Sequence, residues 1–197
     1  IRSKLDYSDN PLSPTKGVII TGDIYSVGGP LGGTRDYQKI DTGIQTYIPM
    51  PRRIVFAARV KYGAIFNWKE NYDTYEDVLF EKFYLGGTKS LRGWNALQYP
   101  DERKSDIHLN GKEIRFLTSF ELRFPVFGPL GAEIFTDGGQ IWDNSSEISL
   151  SDLSWNVGAG LTYTSPLGPV RLDFAYKIDN PYELDPWEVL LDVLYAF

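Results

Sequence analysis

The chain contains no cysteine, so neither a disulfide nor a thiolate metal site can be argued. One histidine, His108, and one methionine, Met50, exclude a histidine-rich metal cluster. Positive charge is also short. With 20 Lys and Arg against 26 Asp and Glu the net charge is -6, which gives no electrostatic case for nucleic acid. No apolar run approaches the ~20 residues of a membrane-spanning helix. A mean hydropathy of -0.27 looks water-soluble, but a membrane barrel scores the same because half its strand residues face a polar interior. No targeting peptide starts at Ile1. The chain opens inside what reads as the second half of a strand, as a C-terminal portion or a processed product would. Chemistry-bearing patterns are scarce: there is no G-x-S-x-G elbow, and Gly28-Gly29-Pro30-Leu31-Gly32-Gly33 lacks the strand–helix setting of a phosphate cradle. Spaced carboxylates such as Asp101, Glu102 and Asp106 read as solvated loop residues, and Glu133 and Asp137 as networked charges rather than an acid–base pair.

Aromatics and glycine are abundant (13 Tyr, 11 Phe, 5 Trp and 19 Gly), and a period of two dominates over any helical period. Ile54, Phe56, Ala58, Val60 and Tyr62 share one face, against Val55, Ala57, Arg59, Lys61 and Gly63. Ile114, Phe116, Thr118, Phe120, Leu122 and Phe124 oppose Arg115, Leu117, Ser119, Glu121 and Arg123. The same alternation places Ile134 opposite Glu133, Phe135 and Asp137, Trp155 opposite Asn156, Phe174 opposite Arg171 and Asp173, and Trp187, Tyr195 and Phe197 on one face of the last strand. Weaker strands are expected over about 17–26 and 38–48, with a short one at 1–7. Short, proline-rich turns (Asn10 to Thr15, Pro49 to Pro51, Pro125 to Pro129, Ser165 to Pro169) alternate with longer polar loops at about 27–37, 67–111, 143–152 and 178–186. The expected fold is all-β: an up-and-down antiparallel barrel of eight to nine strands, one domain over 1–197.

Periodicity does not say which face is wet. The charged face lacks continuous apolar packing. The apolar face carries aromatics toward its strand ends: Tyr62, Phe124, Trp142, Trp155, Tyr163, Tyr176, Trp187 and Phe197. The strands run about ten residues, the length needed to cross a bilayer at a tilt. These features put lipid on the apolar face, with a soluble ligand-binding barrel as the alternative. The stretch Gly86-Gly87-Thr88-Lys89-Ser90-Leu91-Arg92-Gly93-Trp94 lies in the longest loop. Glu121 and Asp137 face the polar side, so Arg92 can pair with both if the loop tucks inside. Gly86, Gly87 and Gly93 then give backbone freedom and room in a crowded interior. Phe83 and Trp94 anchor the tip, and Gly138, Gly139, Gly158 and Gly160 leave space on the wall.

Four motifs in order resemble the bacterial surface antigen superfamily of BamA- and TamA-like outer-membrane assembly factors. They are Asp9-Asn10-Pro11 through Pro14-Thr15-Lys16-Gly17; Gly86-Gly87 through Leu91-Arg92-Gly93-Trp94; Ile134-Phe135-Thr136-Asp137-Gly138-Gly139-Gln140-Ile141-Trp142; and Gly158-Ala159-Gly160-Leu161 with Ser165-Pro166-Leu167-Gly168-Pro169-Val170-Arg171-Leu172-Asp173. The resemblance covers essentially the whole chain. It implies the C-terminal eight to nine strands of a sixteen-stranded transmembrane barrel, without the first half and the periplasmic POTRA domains. It also implies that Arg92 reaches into the lumen to acidic wall residues. The implied function is insertion of β-barrel proteins in the outer membrane of a Gram-negative-type bacterium, with no cofactor, no metal and no enzymatic step. Partners would be the lipid bilayer, unfolded outer-membrane or secreted clients, and accessory lipoproteins or periplasmic subunits. The terminal strand, Trp187 with Tyr195 and Phe197, would be a targeting signal and one side of a lateral seam. A two-partner-secretion-type transporter and a plain outer-membrane channel or structural barrel stay open as alternatives.

Overall fold

A computed structural model describes residues 1–72, 80–100, 111–165, 168–180 and 185–193. Nine strands follow one another: β1 (Arg2–Asp6), β2 (Gly17–Val27), β3 (Tyr37–Pro49), β4 (Val55–Phe66), β5 (Ile114–Phe127), β6 (Leu130–Trp142), β7 (Ser154–Ser165), β8 (Gly168–Lys177) and β9 (Trp187–Val193). They form one sheet in chain order, every neighbour antiparallel. The short turns and long loops alternate as the sequence predicts. The first short turn is built by its own side chains. Asp9 accepts from the Thr15 N–H (2.8 Å), the Thr15 hydroxyl (2.5 Å) and the Lys16 N–H (3.0 Å), while Asn10 Oδ1 accepts from the Leu12 and Ser13 N–H groups at 2.9 and 3.2 Å. This is the local bonding that makes Asx residues turn formers. These bonds hold the Asp9 carboxyl down at about 2.

The two faces separate as the alternation requires. On one face the register lines up Ile134, Ala159, Phe174 and Val189 across β6 to β9, and Leu5, Ile20, Ile44 and Val60 across β1 to β4. The large members of both rows are exposed. The opposite face carries Arg59, Ser119, Glu121, Glu133, Asp137, Asn156, Arg171, Asp173 and Lys177, all buried. A water-soluble sheet protein would bury the first set and expose the second. The sheet also curls toward its charged face. β5 and β8 are three ladder steps apart, about 14 Å on a flat sheet with side chains standing perpendicular to it. Yet Arg171 Nη1 on β8 lies 3.5 Å from Glu121 Oε1 on β5.

Three aromatics depart from the expected outer belt: Phe124 and Trp155 are half-buried and Trp142 is buried. Trp142 has the right parity but is buried, in a cluster with Ala64, Ile114 and Leu153. The loop after β6 folds back there, so the face is right and the exposure is not. Tyr62, Tyr163, Tyr176 and Trp187 are exposed on the outer face as expected. Tyr195 and Phe197 lie outside the described residues, as do Asp101, Glu102, Asp106 and His108.

Candidate functional site

The stretch 80–100 of the connection from β4 to β5 does not stand out into solvent. It re-enters the curled sheet and packs on its inner face. It is tied into a compact loop by backbone bonds: Gly87 N–H to Trp94 O (2.8 Å), Ser90 N–H to Gly87 O (3.0 Å), Trp94 N–H to Leu91 O (3.1 Å) and Tyr99 N–H to Leu85 O (3.3 Å). Gly86 has φ +107, and a Cβ there would sit 2.1 Å from the Asn95 carbonyl oxygen, so only glycine serves. Leu85, Leu91, Trp94 and Tyr99 form one apolar cluster with Leu117 and Ile141 of the wall. Trp94 meets the Tyr99 ring edge-on at 5.2 Å. The Tyr99 hydroxyl lies 2.9 Å from Gln140 Oε1 and 2.8 Å from Ser154 Oγ, so the ring's polar tip is satisfied inside the wall. At the loop's entry, Phe83 bridges to Lys112 and has Lys39 Nζ (4.5 Å) and Arg115 Cζ (4.8 Å) over its ring.

Arg92 sits at the centre and is 1% exposed. Its Nε and Nη2 take Asp137 in a fork at 2.8 and 2.7 Å. Nη1 donates to Glu121 Oε1 at 2.7 Å and to Glu133 Oε1 at 3.3 Å, with Asp173 Oδ2 at 3.6 Å. The Arg92 backbone N–H adds a 3.2 Å bond to Asp137 Oδ2. The guanidinium also lies flat over Phe135, 3.5 Å from the ring centroid. A planar fork of five donors is suited to this, as an ammonium would not be. The sequence-predicted partners Glu121 and Asp137 are therefore both brought to Arg92.

Sequence reasoning missed the size of the cluster. Glu133 and Asp173 complete a ring of four buried carboxylates, and Arg171 and Arg123 supply further charge. Arg171 pairs with Asp173 at 3.0 Å and donates to the loop carbonyl of Thr88 at 3.1 Å. Arg123 grips Glu121 Oε2 through Nε (2.8 Å) and Nη2 (2.6 Å). The inward parity of Glu133, Arg171 and Asp173 was the available signal. Small residues make the room. A Cβ on Gly160 would fall 2.2 Å from Asp173 Oδ1, and one on Gly158 2.2 Å from the Phe135 ring. A Cβ on Gly93 would fall 2.9 Å from Asn156 Cβ, which brings the loop against β7. With the Asn156 amide turned so that its nitrogen faces Asp137, it donates to Asp137 Oδ2 (3.2 Å) and accepts from the Gly93 N–H (3.1 Å). Among the described residues no group of three or more His, Cys, Asp or Glu is disposed to hold a metal ion. What this arrangement does is mechanical: it docks a loop by charge-assisted bonds to several strands at once.

The model of the Omp85 superfamily domain matches residues 2–188. The chain belongs to the Omp85 superfamily. This Omp85 domain is 31% identical over 186 residues to the outer membrane protein assembly factor BamA of Nitratidesulfovibrio vulgaris, covering 91% of the chain and 23% of that relative. It is 26% identical over 209 aligned positions to the BamA of Neisseria meningitidis serogroup B, covering 89% and 26%. A 32% identity over 105 residues links 49% of it to the chloroplastic outer envelope protein 80 of Arabidopsis thaliana, 13% of which is covered. Its fold matches a crystal structure of BamA from Haemophilus ducreyi lacking POTRA domains 1-3, with a TM-score of 0.73 and 18% identity, over 95% of this chain and 40% of that one. The chain thus spans about a quarter of the length of the two BamA relatives. The nine curled strands match the fold of part of that structure, and the clamped loop lies on their charged, concave face.

Proposed function

We propose that this Omp85 domain is the C-terminal part of an outer-membrane β-barrel assembly factor, a multi-pass barrel in the outer membrane of a Gram-negative-type bacterium. It would help unfolded outer-membrane or secreted clients to fold into the bilayer. The observation that carries the reading is the Arg92 loop, clamped inside the wall of a chain whose relatives include two BamA assembly factors. The outer face supports the membrane part of the proposal, since the rows Ile134 to Val189 and Leu5 to Val60 leave their large apolar side chains exposed. In this reading the chain is not an enzyme and uses no nucleotide. The docked loop keeps the interior filled and the wall in shape. The edge strand β9, headed by Trp187, offers its free backbone groups to an incoming client strand. Accessory lipoproteins or periplasmic subunits would act through the rest of the protein.

The test is reconstitution of the full-length protein in liposomes, with an unfolded outer-membrane client added from urea. Faster client folding than in empty liposomes, lost in Arg92→Ala, is the expected result. Ion conductance with no acceleration of client folding would replace this reading with a plain channel.

A further inference from the structure

The short hairpin from β3 to β4 turns through Pro51, Arg52, Arg53 and Ile54. It is closed by Met50 N–H to Ile54 O (2.7 Å) and Ile54 N–H to Pro51 O (3.4 Å). Arg52 and Arg53 both take the left-handed conformation, at φ 62 and 59. Two such residues in a row suit the twist of a hairpin, and the pair that adopts them with least strain is Asn-Gly, because a Cβ crowds the following carbonyl oxygen. The next short turn does use glycine at such a position, Gly128 at φ 56. Turn geometry therefore gives no reason for two arginines. Both are exposed, and neither has a hydrogen bond or ion pair among the described residues.

Arg53 lines a recess of about 220 Å³ at this rim, together with Arg123, Ser13, Thr15, Thr162 and Thr164. The Arg123 guanidinium is committed to Glu121, and the Asp9 carboxylate of the adjoining turn is taken up by Thr15 and Lys16. The uncompensated charge facing the recess is that of Arg53, with the Ser13, Thr162 and Thr164 hydroxyls as further donors, that of Thr15 being given to Asp9. This is the chemistry of a phosphate-sized oxyanion site. The flanks say where the anion comes from. Ile48 and Met50 on the hairpin are 49% and 44% exposed, and Val126 and Phe127 on the neighbouring turn are 56% and 83% exposed. Apolar side chains ending in a basic tip are the pattern of a chain crossing from hydrocarbon to headgroups.

We propose that the Arg52–Arg53 tip and its hydroxyl-lined recess bind the phosphate of an anionic phospholipid headgroup at the short-turn rim. The proposal rests on the reading that the outer face lies in a bilayer. It adds a lipid site with a chemical preference.

The experiment is native mass spectrometry of the full-length protein, titrated with phosphatidylglycerol or with phosphatidylcholine, alongside the double variant Arg52→Asn with Arg53→Gly. That variant removes both charges while giving the turn its preferred residues, so misfolding does not confound it. Arg53→Lys keeps the charge. The expected result is a retained phosphatidylglycerol adduct on the wild type and on Arg53→Lys. Its excess over phosphatidylcholine should fall about five-fold per arginine removed. Equal retention of both lipids, or an unchanged preference in the double variant, overturns the proposal. Displacement of phosphatidylglycerol by inorganic phosphate at comparable concentration makes this a free-phosphate site and overturns the lipid assignment. Protection of both arginines from phenylglyoxal in the lipid-free full-length protein would point to an acidic protein surface and overturn it too. The membrane reading fails separately, if the protein leaves membranes without detergent.

Discussion

Replacing Arg92 by alanine should release the loop without unfolding the sheet. The guanidinium makes four side-chain bonds of 3.3 Å or shorter to Asp137, Glu121 and Glu133, and stacks on Phe135. Alanine removes all of these and leaves the carboxylates in place, each at most 1% exposed. Breaking a buried ion pair from one side costs about 3–5 kcal/mol, most of it the penalty of the charge left behind. Glu121 keeps Arg123 and Asp173 keeps Arg171. Asp137 loses its fork and retains only the Asn156 amide and the position-92 N–H. The strain therefore falls on Asp137 and on the docked position of the loop. Three to five kcal/mol corresponds to about two to three and a half orders of magnitude in the docked-to-undocked ratio. Hydrogen exchange at the Gly87 and Trp94 amides, which are bonded within the loop, reads that ratio directly. Strand amides of β5 to β7 serve as the internal reference. Loop amides that exchange as slowly in Arg92→Ala as in the wild type would refute the view that the clamp holds the loop. Arg92→Lys should fall between, since it restores charge but neither the fork nor the flat contact with Phe135.

Trp94→Ala should cost about 3–5 kcal/mol of loop docking through lost packing on Leu85, Leu91 and Tyr99, read by protease sensitivity of the loop at unchanged strand content. Gly160→Ala should disturb the clamp from the wall side. Its Cβ would lie 2.2 Å from Asp173 Oδ1, so loop protection should drop although no charge is altered. The Asp9 carboxyl is held down at about 2 by its bonds to Thr15 and Lys16, below the ordinary value of 3.8. The order it gives the turn is therefore fully present above about 3.8 and is lost as pH falls through about 2. The protection factors of the Thr15 and Lys16 amides, each taken against intrinsic exchange at the same pH, should be flat from neutral pH to about 4 and fall only below it, whereas Asp9→Asn should show the lower protection already at neutral pH.

Much of this structure was legible because a period of two is hard to counterfeit. From β4 to β8 the alternation named the face of each residue correctly, and it put Glu121 and Asp137 on the side that Arg92 meets once the loop tucks inside. Parity reports a direction and not a distance. It placed Glu133, Arg171 and Asp173 inward, but not in one cluster, because their meeting depends on how far the sheet curls. Nor does it report coverage: Trp142 points outward and is still buried, since Leu153 of the following loop closes over it. Phe83, expected at the loop tip, instead sits at the loop's entry with Lys39 and Arg115 over its ring, because that contact joins residues far apart in sequence.

One consequence of the clamp is mechanical. Arg92 and Arg171 tie β5, β6 and β8 together across the concave side, like a spoke fixed to several points of a rim. Bending that part of the sheet would stretch several charged contacts at once, so it should behave as one stiff plate. β1 to β4 are joined to the plate by ladder bonds and the inner-face contacts Arg115–Asp41 and Arg59–Ser119. On the other flank β9 reaches it through its ladder with β8 and a long 4.0 Å approach of Arg171 to Asp192. Compliance is then unevenly distributed along the wall, and a force on this domain would be taken up at its flanks before its centre deformed.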